Sequence, residues 1–374
     1  MTIRNAWSSG KQVRSTLFAV EECCGLIVYT ILVPQRIRRA DLLPGMAAAI
    51  AVLASPLGLG ASAFCAGPRL SFSGEAASPA ASSLSHLAAF DSTSPVASAL
   101  ASPAELVRTA VANEVAAAHD TSVKHMFLSR KQTAHGSQTR LYAETREAMV
   151  AMTIAYNDQP ITAQQLQGEE GRLDGIRDHP EQMERKKSQE KEDAERTLRM
   201  VKALPDAFLY EYDGTEESAP GVGKAGDSLV RLKFRPNPGY VPPSRVEQVL
   251  AGMQGFVLVD PEAKRIAKID ATLLRDVSFG WGFFGRLAKG GTFLVEQADV
   301  GDGTWDTTRM RLGFTGTILL VKSLNISSDE TLSDFRRIPA DTTFAKGVEM
   351  LKAEQARLAA NRALGAATTG PKSQ

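Results

Sequence analysis

The hydrophobic pattern of the chain changes its period near residue 206. Before that point, a stretch that begins at Pro103 repeats apolar residues every three or four positions, as an amphipathic helix does. Its stripe consists of Leu106, Val107, Ala110, Val111 and Val115. Ser102 stands where a helix needs its N-cap, and proline is well tolerated in the first turn that follows. We therefore predict a helix from residue 103 to about residue 118.

After residue 206 the period is two, which predicts strands with one buried and one solvated face. In residues 228–235, apolar and basic positions alternate. The two sets are Val230, Leu232, Phe234 and Arg231, Lys233, Arg235. Further strands are predicted at residues 123–133, 138–148, 149–156, 254–259, 264–273, 274–279, 291–300, 305–314 and 317–327. An antiparallel meander with helices before, within and after it belongs to the α+β class.

Residues 160–204 are very polar. Their spacing is helical, and Leu198, Val201 and Leu204 supply a short packing stripe. We predict a polar helical insertion that stands mostly in water, docks by its C-terminal part and ends at Pro205. It lacks the heptads of a coiled coil, so a solvated arm is the simpler interpretation. The alternative is a surface that binds another protein of the cell envelope.

Residues 34–63 have the three parts of a secretory signal. Basic residues precede an apolar run at 46–60, and small residues at 61–63 supply a cleavage site. The run is too short to span a bilayer. We expect an exported bacterial protein, either periplasmic or associated with the outer membrane. Residues 1–33 precede the signal, either because the true start lies downstream of Met1 or because the extension is real.

Residues 64–102 are rich in Ala, Ser and Pro, which predicts a flexible, disordered linker. Cys65 lies at its start, two residues past the expected cleavage site. The residues before Cys65 depart from a lipoprotein signal, so it is either a free thiol or a lipid anchor. Cys23 and Cys24 lie further upstream, and the folded domain therefore has no internal disulfide and no thiolate metal site.

Charge and motif content argue against several function classes. Lysine and arginine number 43 and aspartate and glutamate 42, so no net field favours nucleic acid. Gly280, Gly282 and Gly285 have the spacing of a dinucleotide-binding loop, but a strand pattern follows instead of a helix. The three histidines at 119–135 lack a cysteine or acidic partner at ligand spacing, and no G-x-S-x-G elbow occurs. We predict no cofactor, no metal and no catalytic residue; convergent acid and base groups in a cleft would favour a hydrolase instead.

Trp281, Phe283 and Phe284 lie among these glycines and are the candidate ligand-binding residues. Glycine makes the backbone mobile, and aromatic rings offer a large apolar contact area. One interpretation is a bent hairpin whose rings fill one end of the core. The other is an apolar lip over a ligand cavity, or a contact to a membrane or a partner.

The segment GFVLVDPEAKRIAKID at 255–270 has the pattern of a strand, an Asp-Pro turn and a return strand. This segment resembles the LolA-like superfamily of periplasmic lipoprotein carriers, which includes lipoprotein-sorting proteins of the outer membrane. Residues 206–339 also resemble a group of secreted bacterial proteins, through the segments FLYEY, LVRLKFRPNP, GGTFLVEQ and SDFRRIP. The resemblance implies an antiparallel β-sheet curved into an unclosed barrel, with N-terminal, inserted and C-terminal helices packed against it. The carrier-like domain would span residues 103–345, and a helix and a disordered tail would follow at 346–374. The insertion at 160–204 departs from the compact carrier pattern.

The resemblance also implies that the concave face of the sheet is apolar and holds acyl chains without covalent chemistry. The hypothesis is therefore an exported, non-catalytic binding module that carries or senses a lipid, a lipoprotein or another apolar ligand. The alternative is a structural or scaffolding envelope protein with a fully packed sheet and no small ligand. An open cavity between sheet and helices would favour the carrier, and a filled one the scaffold.

Overall fold

The computed structural model describes residues 102–279, 285–301, 303–318 and 322–368. In this part of the chain the α-helices are α1 (Pro103–His119), α2 (Ala163–Asp178), α3 (Pro180–Ala207) and α4 (Phe344–Thr368). The first strands are β1 (Lys124–Thr133), β2 (Gly136–Ala143), β3 (Val150–Tyr156), β4 (Gln159–Pro160), β5 (Phe208–Glu217) and β6 (Ser228–Pro236). A 3-10 helix (Glu247–Gly252) precedes β7 (Met253–Asp260), β8 (Arg265–Leu273), β9 (Val277–Phe279), β10 (Gly285–Leu287), β11 (Thr292–Asp299), β12 (Trp305–Ile318) and β13 (Lys322–Ile338).

Local sequence signals account for α1. The Ser102 hydroxyl caps the helix by accepting from the backbone N–H of Glu105 at 3.2 Å, and Pro103 occupies the first turn. Three residues of the apolar stripe are buried: Val107, Ala110 and Val111. The predicted helix and its buried stripe are confirmed.

The described strands belong to one antiparallel sheet that does not close. Its order is β4-β3-β2-β1-β13-β12-β11-β8-β7-β6-β5, and the β9–β10 hairpin joins it where β10 pairs with β12. The two ends of this order are β4 and β5. The predicted α+β architecture, an unclosed, curved antiparallel sheet with helices against it, is confirmed.

The long strand β12 differs from the prediction. The sequence predicts a break at residues 315–316, but β12 runs without interruption to Ile318. A Cβ atom at Gly316 would lie 2.0 Å from the carbonyl oxygen of Arg286 in β10. Glycine is needed there because two backbones approach closely, and the chain does not turn. β13 likewise continues beyond its predicted end.

One face of the sheet is apolar, as the period of two predicts. In β12, Met310 and Leu312 are buried and Arg311 between them is exposed. In β6, Leu232 is buried and Lys233 is exposed. The buried residues belong to the main core cluster, to which α1 and α3 also contribute. The predicted faces of these strands are confirmed.

The opposite face carries basic side chains that are paired with carboxylates. Arg231 lies 2.9 Å from Asp213, and Lys233 lies 2.5 Å from the same carboxylate. Arg309 binds Asp329 at 2.7 Å. Pairs that are open to solvent in this way contribute little to stability, because water screens the two charges. The basic positions of this face are therefore neutralised locally and do not form a free basic stripe.

A second core lies on that opposite face near β1, β2 and β3. Leu173 of α2 and Val348 and Leu351 of α4 are buried in one cluster with Val150 of β3. Helices therefore pack against both faces of the sheet, α1 and α3 on one and α2 and α4 on the other. In the range 346–374, where a helix and a disordered tail were predicted, α4 continues to Thr368 through an alanine-rich stretch that favours helix.

The insertion at residues 160–204 is helical, but it contains two helices. Thr162 caps α2 and forms a capping box with Gln165. His179 separates α2 from α3 in an extended conformation, and Pro180 starts α3. Because the α region is disfavoured for a residue that precedes proline, the break follows from the local sequence.

The helix α3 extends past Pro205, where the sequence predicts its end. In the last turn, the missing N–H of proline removes only one hydrogen bond. The carbonyl oxygen of Leu204 accepts from the Tyr210 hydroxyl, and that of Asp206 accepts from Asn237 Nδ2, each at 2.8 Å. These partners outside the helix satisfy its final carbonyl groups and hold the turn in place.

Polar side chains of α2 and α3 cap the outer edge of β3. The contacts are Glu169 Oε2 with Thr153 N at 3.0 Å, Arg172 Nη2 with Ala151 O at 2.8 Å, and Glu190 Oε2 with Met149 N at 3.2 Å. Backbone groups on an edge strand otherwise lack partners within the sheet. Most residues of the insertion are exposed or half-buried, in keeping with the prediction that it stands mostly in water, but some of its charged side chains also satisfy this edge.

Candidate functional site

The helices α1 and α3 form a cover over the apolar face of the sheet. Ala110 of α1 and Met200 and Leu204 of α3 are buried in the same core cluster as the strands below them. The buried stripe of α3 also includes Thr197 and Asp193. The helix therefore packs along more of its length than the apolar stripe in its sequence predicts.

A small apolar cavity lies between this cover and the sheet, with a volume of about 20 Å³. Its lining includes Val107 of α1, Leu204 of α3 and the strand residues Phe208, Phe234, Met253 and Phe293. Of the residues that line it, Tyr210 alone has a polar side chain. We call this space the concave-face cavity.

The hydroxyl of Tyr210 already has a hydrogen-bond partner. It donates to the carbonyl oxygen of Leu204 at 2.8 Å. Burial raises the pKa of Tyr210 above its ordinary value, so the hydroxyl stays protonated. A dry lining of this kind accepts hydrocarbon and presents no group for acid–base chemistry.

The volume decides what the concave-face cavity can hold as it stands. A single water needs about 10–15 Å³ of such space, and its share of liquid volume is about 30 Å³. A volume of about 20 Å³ therefore takes one water-sized group and no acyl chain. A larger apolar ligand fits only when the cover moves away from the sheet.

The cover is fastened unequally at its two ends. Near the C-terminal end of α1, Glu114 accepts from Arg265 Nε at 2.8 Å and Nη2 at 2.9 Å, and from the backbone N–H of Ile266 at 3.0 Å. The Glu114 and Arg265 side chains are 12% and 14% exposed. At the other end, Arg108 lies 3.9 Å from Asp206, and both side chains are more than half exposed. The start of α1 therefore has an exposed ion pair where its C-terminal part has a buried one, and Val107 is held there by apolar packing.

A polar rim borders the 3-10 helix that contributes Leu250 to the cavity. The Glu247 carboxylate is buried and accepts from the Ser244 hydroxyl. Burial, together with the nearby carboxylates of Glu247 and Asp206, raises the pKa of Tyr240. The Tyr240 hydroxyl is buried and has no hydrogen-bond partner among the described residues. Tyr240 packs against the main core, although it is not one of the residues that line the cavity.

The predicted ligand-binding residues Trp281, Phe283 and Phe284 lie outside the described residues. Their flanks are described: β9 and β10 pair as an antiparallel hairpin, and Val277 and Leu287 on these strands are buried in the main core. A strand begins at Gly285, in agreement with the expectation that the glycine pattern opens no helix. The predicted signal at 34–63, the linker and Cys65 also lie outside the described residues.

Some residues of the concave-face cavity were predicted to be buried, and the resemblance to LolA-like carriers implied an apolar site on this face. Val107, Leu204 and Phe234 all fall on apolar stripes that the sequence shows. Phe208 and Phe234 meet with ring centroids 4.5 Å apart, across neighbouring strands. The aromatic spacing in FLYEY was a usable signal, since its first and third residues face the cavity.

Ionisable residues of the described chain do not converge on this cavity. No group of three or more His, Cys, Asp or Glu that could hold a metal is found in the described part. His119 Nδ1 lies 2.7 Å from the carbonyl oxygen of Val115, whereas His125 is buried beside Glu144. Among the described helices, none combines the length and the apolar composition that crossing a bilayer requires.

Comparisons with known proteins add little. No family model and no curated protein matches the chain. The chain is similar to the crystal structure of a DUF1329 family protein from Desulfovibrio piger, at 10% sequence identity, over 63% of this chain and 92% of that one. The TM-score of 0.24 is too low for this similarity to support a conclusion about fold or function.

Proposed function

We propose that the protein is an exported binding module that carries or senses a lipid, a lipoprotein or another apolar ligand. The proposed site is the concave face of the sheet beneath α1 and α3. The observation that carries the proposal is a hydrocarbon-lined cavity under a helical cover in which α1 has a buried ion pair near its C-terminal end and an exposed one near its start. Such a cover can admit a ligand by movement of the start of α1.

Burial of hydrocarbon supplies the driving force for binding. Each methylene removed from water contributes about 0.8 kcal/mol. Displacing the start of α1 exposes Val107 to water, and a bound acyl chain replaces the lost contact on the sheet. The Tyr240 hydroxyl can donate to an oxygen of the ligand head group. Binding then needs no covalent step, in keeping with a site without acid–base groups.

The predicted signal at 34–63 and the resemblance to LolA-like carriers support an envelope location and an acylated ligand. If Cys65 carries a lipid, the linker at 64–102 tethers the module to a membrane; if it is a free thiol, the module diffuses. The insertion remains a candidate surface for an envelope partner, although its edge-capping residues are occupied within the chain.

The alternative is a scaffolding envelope protein with a packed sheet. A cavity of only about 20 Å³ favours this alternative. The two proposals differ in what they require of α1: a carrier needs its start to move, and a scaffold does not.

Native mass spectrometry of protein purified from the cell envelope, together with titration of a fluorescent fatty acid, tests the proposal. The variant Ala271→Phe fills the cavity and is expected to weaken fatty-acid binding about tenfold or more. Ala267→Phe is the matched control, because Ala267 is equally buried on the same strand but belongs to the cluster on the other face. Absence of co-purified lipid together with absence of fatty-acid binding would exclude the carrier and leave the scaffold.

A further inference from the structure

A row of paired residues leads from the concave-face cavity across the sheet to a buried serine. Phe293 in β11 lines the cavity and pairs with Leu312 in β12, which in turn pairs with Ser328 in β13. Residues directly opposite each other in antiparallel strands share one face of the sheet, and Phe293 and Leu312 belong to the main core. Ser328 therefore lies on the concave face, two strands from Phe293, which is a distance of about 10 Å.

The hydroxyl of Ser328 is buried without a hydrogen-bond partner. The residue is 6% exposed, and its Oγ has neither a donor nor an acceptor among the described residues. A buried hydroxyl that makes no hydrogen bond lowers the stability of the folded state. Alanine at this position would avoid that loss. A residue that breaks a packing rule without a gain in stability points to a function of its side chain.

The adjacent row of the sheet places a carboxylate beside this serine. Met310 of the main core pairs with Glu330 in β13, and Glu330 pairs with Lys131 in β1. Glu330 is only 2% exposed; its Oε1 accepts from the Ser129 hydroxyl at 2.6 Å, and its Oε2 lies 4.0 Å from Lys131 Nζ. Ser328 and Glu330 are two positions apart in one strand, so both point to the concave face. We call Ser129, Ser328 and Glu330 the polar end of this face.

We propose that the polar end binds the uncharged, hydroxyl-bearing head group of an acyl lipid such as a monoacylglycerol. This ligand class rests on the carrier function proposed above and concerns the same face of the sheet. The acyl chain lies over Met310 and Leu312 and reaches the concave-face cavity once the cover has moved. The Ser328 hydroxyl donates to an ester oxygen of the head group, and the Glu330 carboxylate accepts from a hydroxyl of the head group.

The charges around the polar end disfavour an anionic head group. A carboxylate or a phosphate next to Glu330 would bring like charges together away from water. The cations on the same face already interact with carboxylates of the protein. Lys131 faces Glu330, and Arg140, which pairs with Ser129 in β2, interacts electrostatically with Glu169 of α2. The polar end therefore favours an uncharged lipid over a fatty acid or an anionic phospholipid.

Isothermal titration calorimetry of the full chain with 1-monolauroylglycerol and with laurate tests this ligand class. The two lipids carry the same acyl chain, so burial of hydrocarbon contributes equally to both. Two hydrogen bonds to the head group should make monolauroylglycerol bind about tenfold more tightly or better. Ser328→Ala should weaken binding of monolauroylglycerol about fivefold and leave the affinity for laurate unchanged. Ser327→Ala should change neither affinity; it is the matched control, because Ser327 is exposed and points to the opposite face of the same strand.

Thermal unfolding without lipid gives an independent measurement on the same variant. Ser328→Ala should keep or raise Tm, because the substitution removes a buried hydroxyl that has no hydrogen bond to lose. A lower Tm would show that the hydroxyl is bonded within the folded protein and would overturn the proposal.

The binding data separate failure of this ligand class from failure of the carrier function. Laurate that binds as tightly as monolauroylglycerol, or undiminished affinity of Ser328→Ala for monolauroylglycerol, would overturn the ligand class and leave the carrier standing. A loss of affinity in Tyr240→Phe without one in Ser328→Ala would place the head group at the 3-10 helix and would also overturn it. Binding of neither lipid would exclude the carrier and the ligand class together.

Discussion

Removing the carboxylate of Glu114 should loosen α1 from the sheet. This side chain accepts three hydrogen bonds, from Arg265 and from the backbone N–H of Ile266, and both members of the ion pair are less than 15% exposed. Breaking a buried pair by removing one partner costs about 3–5 kcal/mol. Arg265 also lies 5.7 Å from the ring of Trp305, which keeps part of its environment favourable. We therefore expect Glu114→Ala to lower the free energy of unfolding by about 2–3 kcal/mol.

Urea-induced unfolding measures this loss, and hydrogen exchange locates it. The free energy of unfolding should fall by that amount, and the amides of α1 should exchange faster than those of β7 and β8. Glu105→Ala is the control on the same helix, because Glu105 pairs with Arg108 in an exposed setting and should cost less than about 0.5 kcal/mol. Equal losses for the two variants, or α1 amides as protected as before, would refute the idea that Glu114 fastens the cover.

The other predictions concern backbone contact and pH. Gly316→Ala should destabilise the protein by about 3 kcal/mol or more, because its Cβ would collide with the Arg286 carbonyl oxygen. Gly168→Ala, with open space around it in α2, should instead stabilise the protein by about 0.5–1 kcal/mol. Thermal unfolding of the two variants should show a lower Tm for the first and a higher Tm for the second. Hydrogen bonding to Arg357, and then to Arg336, lowers the pKa of Glu354 to about 2. A lowered pKa in the folded state contributes stability that is present above the unfolded value of 4.5 and is lost as the pH falls toward 2. Glu354→Gln should therefore lower the free energy of unfolding by about 1–2 kcal/mol near neutral pH and by almost nothing near pH 2, in denaturant titrations at both pH values. A loss of stability that is the same at both pH values would contradict this assignment.

Features that depend on neighbouring residues in the chain could be predicted from the sequence. The cap of α1 by Ser102 and the alternation in β6 and β12 follow from short-range rules, and the structure has them. The α+β class followed from the change of period. These predictions are confirmed because each depends on a few neighbouring residues whose conformational preferences agree with the fold.

Features that depend on distant residues could not be predicted. Gly316 has the composition of a turn, and only the approach of β10 shows why it is a strand residue. Pro205 stays helical because Tyr210 and Asn237, outside the helix, satisfy its last turn. The concave-face cavity likewise joins parts of the chain that no local pattern links.

The capping of β3 also limits how copies of this chain can associate. Pairing through sheet edges can propagate into a fibre only if each molecule offers two free edges, so that one copy adds to the next without end. Glu169, Arg172 and Glu190 occupy one side, and β5 remains at the other. Pairing of two copies through β5 alone would be isologous and would close at two copies. The polar insertion thus removes one stretch of free edge through which such growth could proceed.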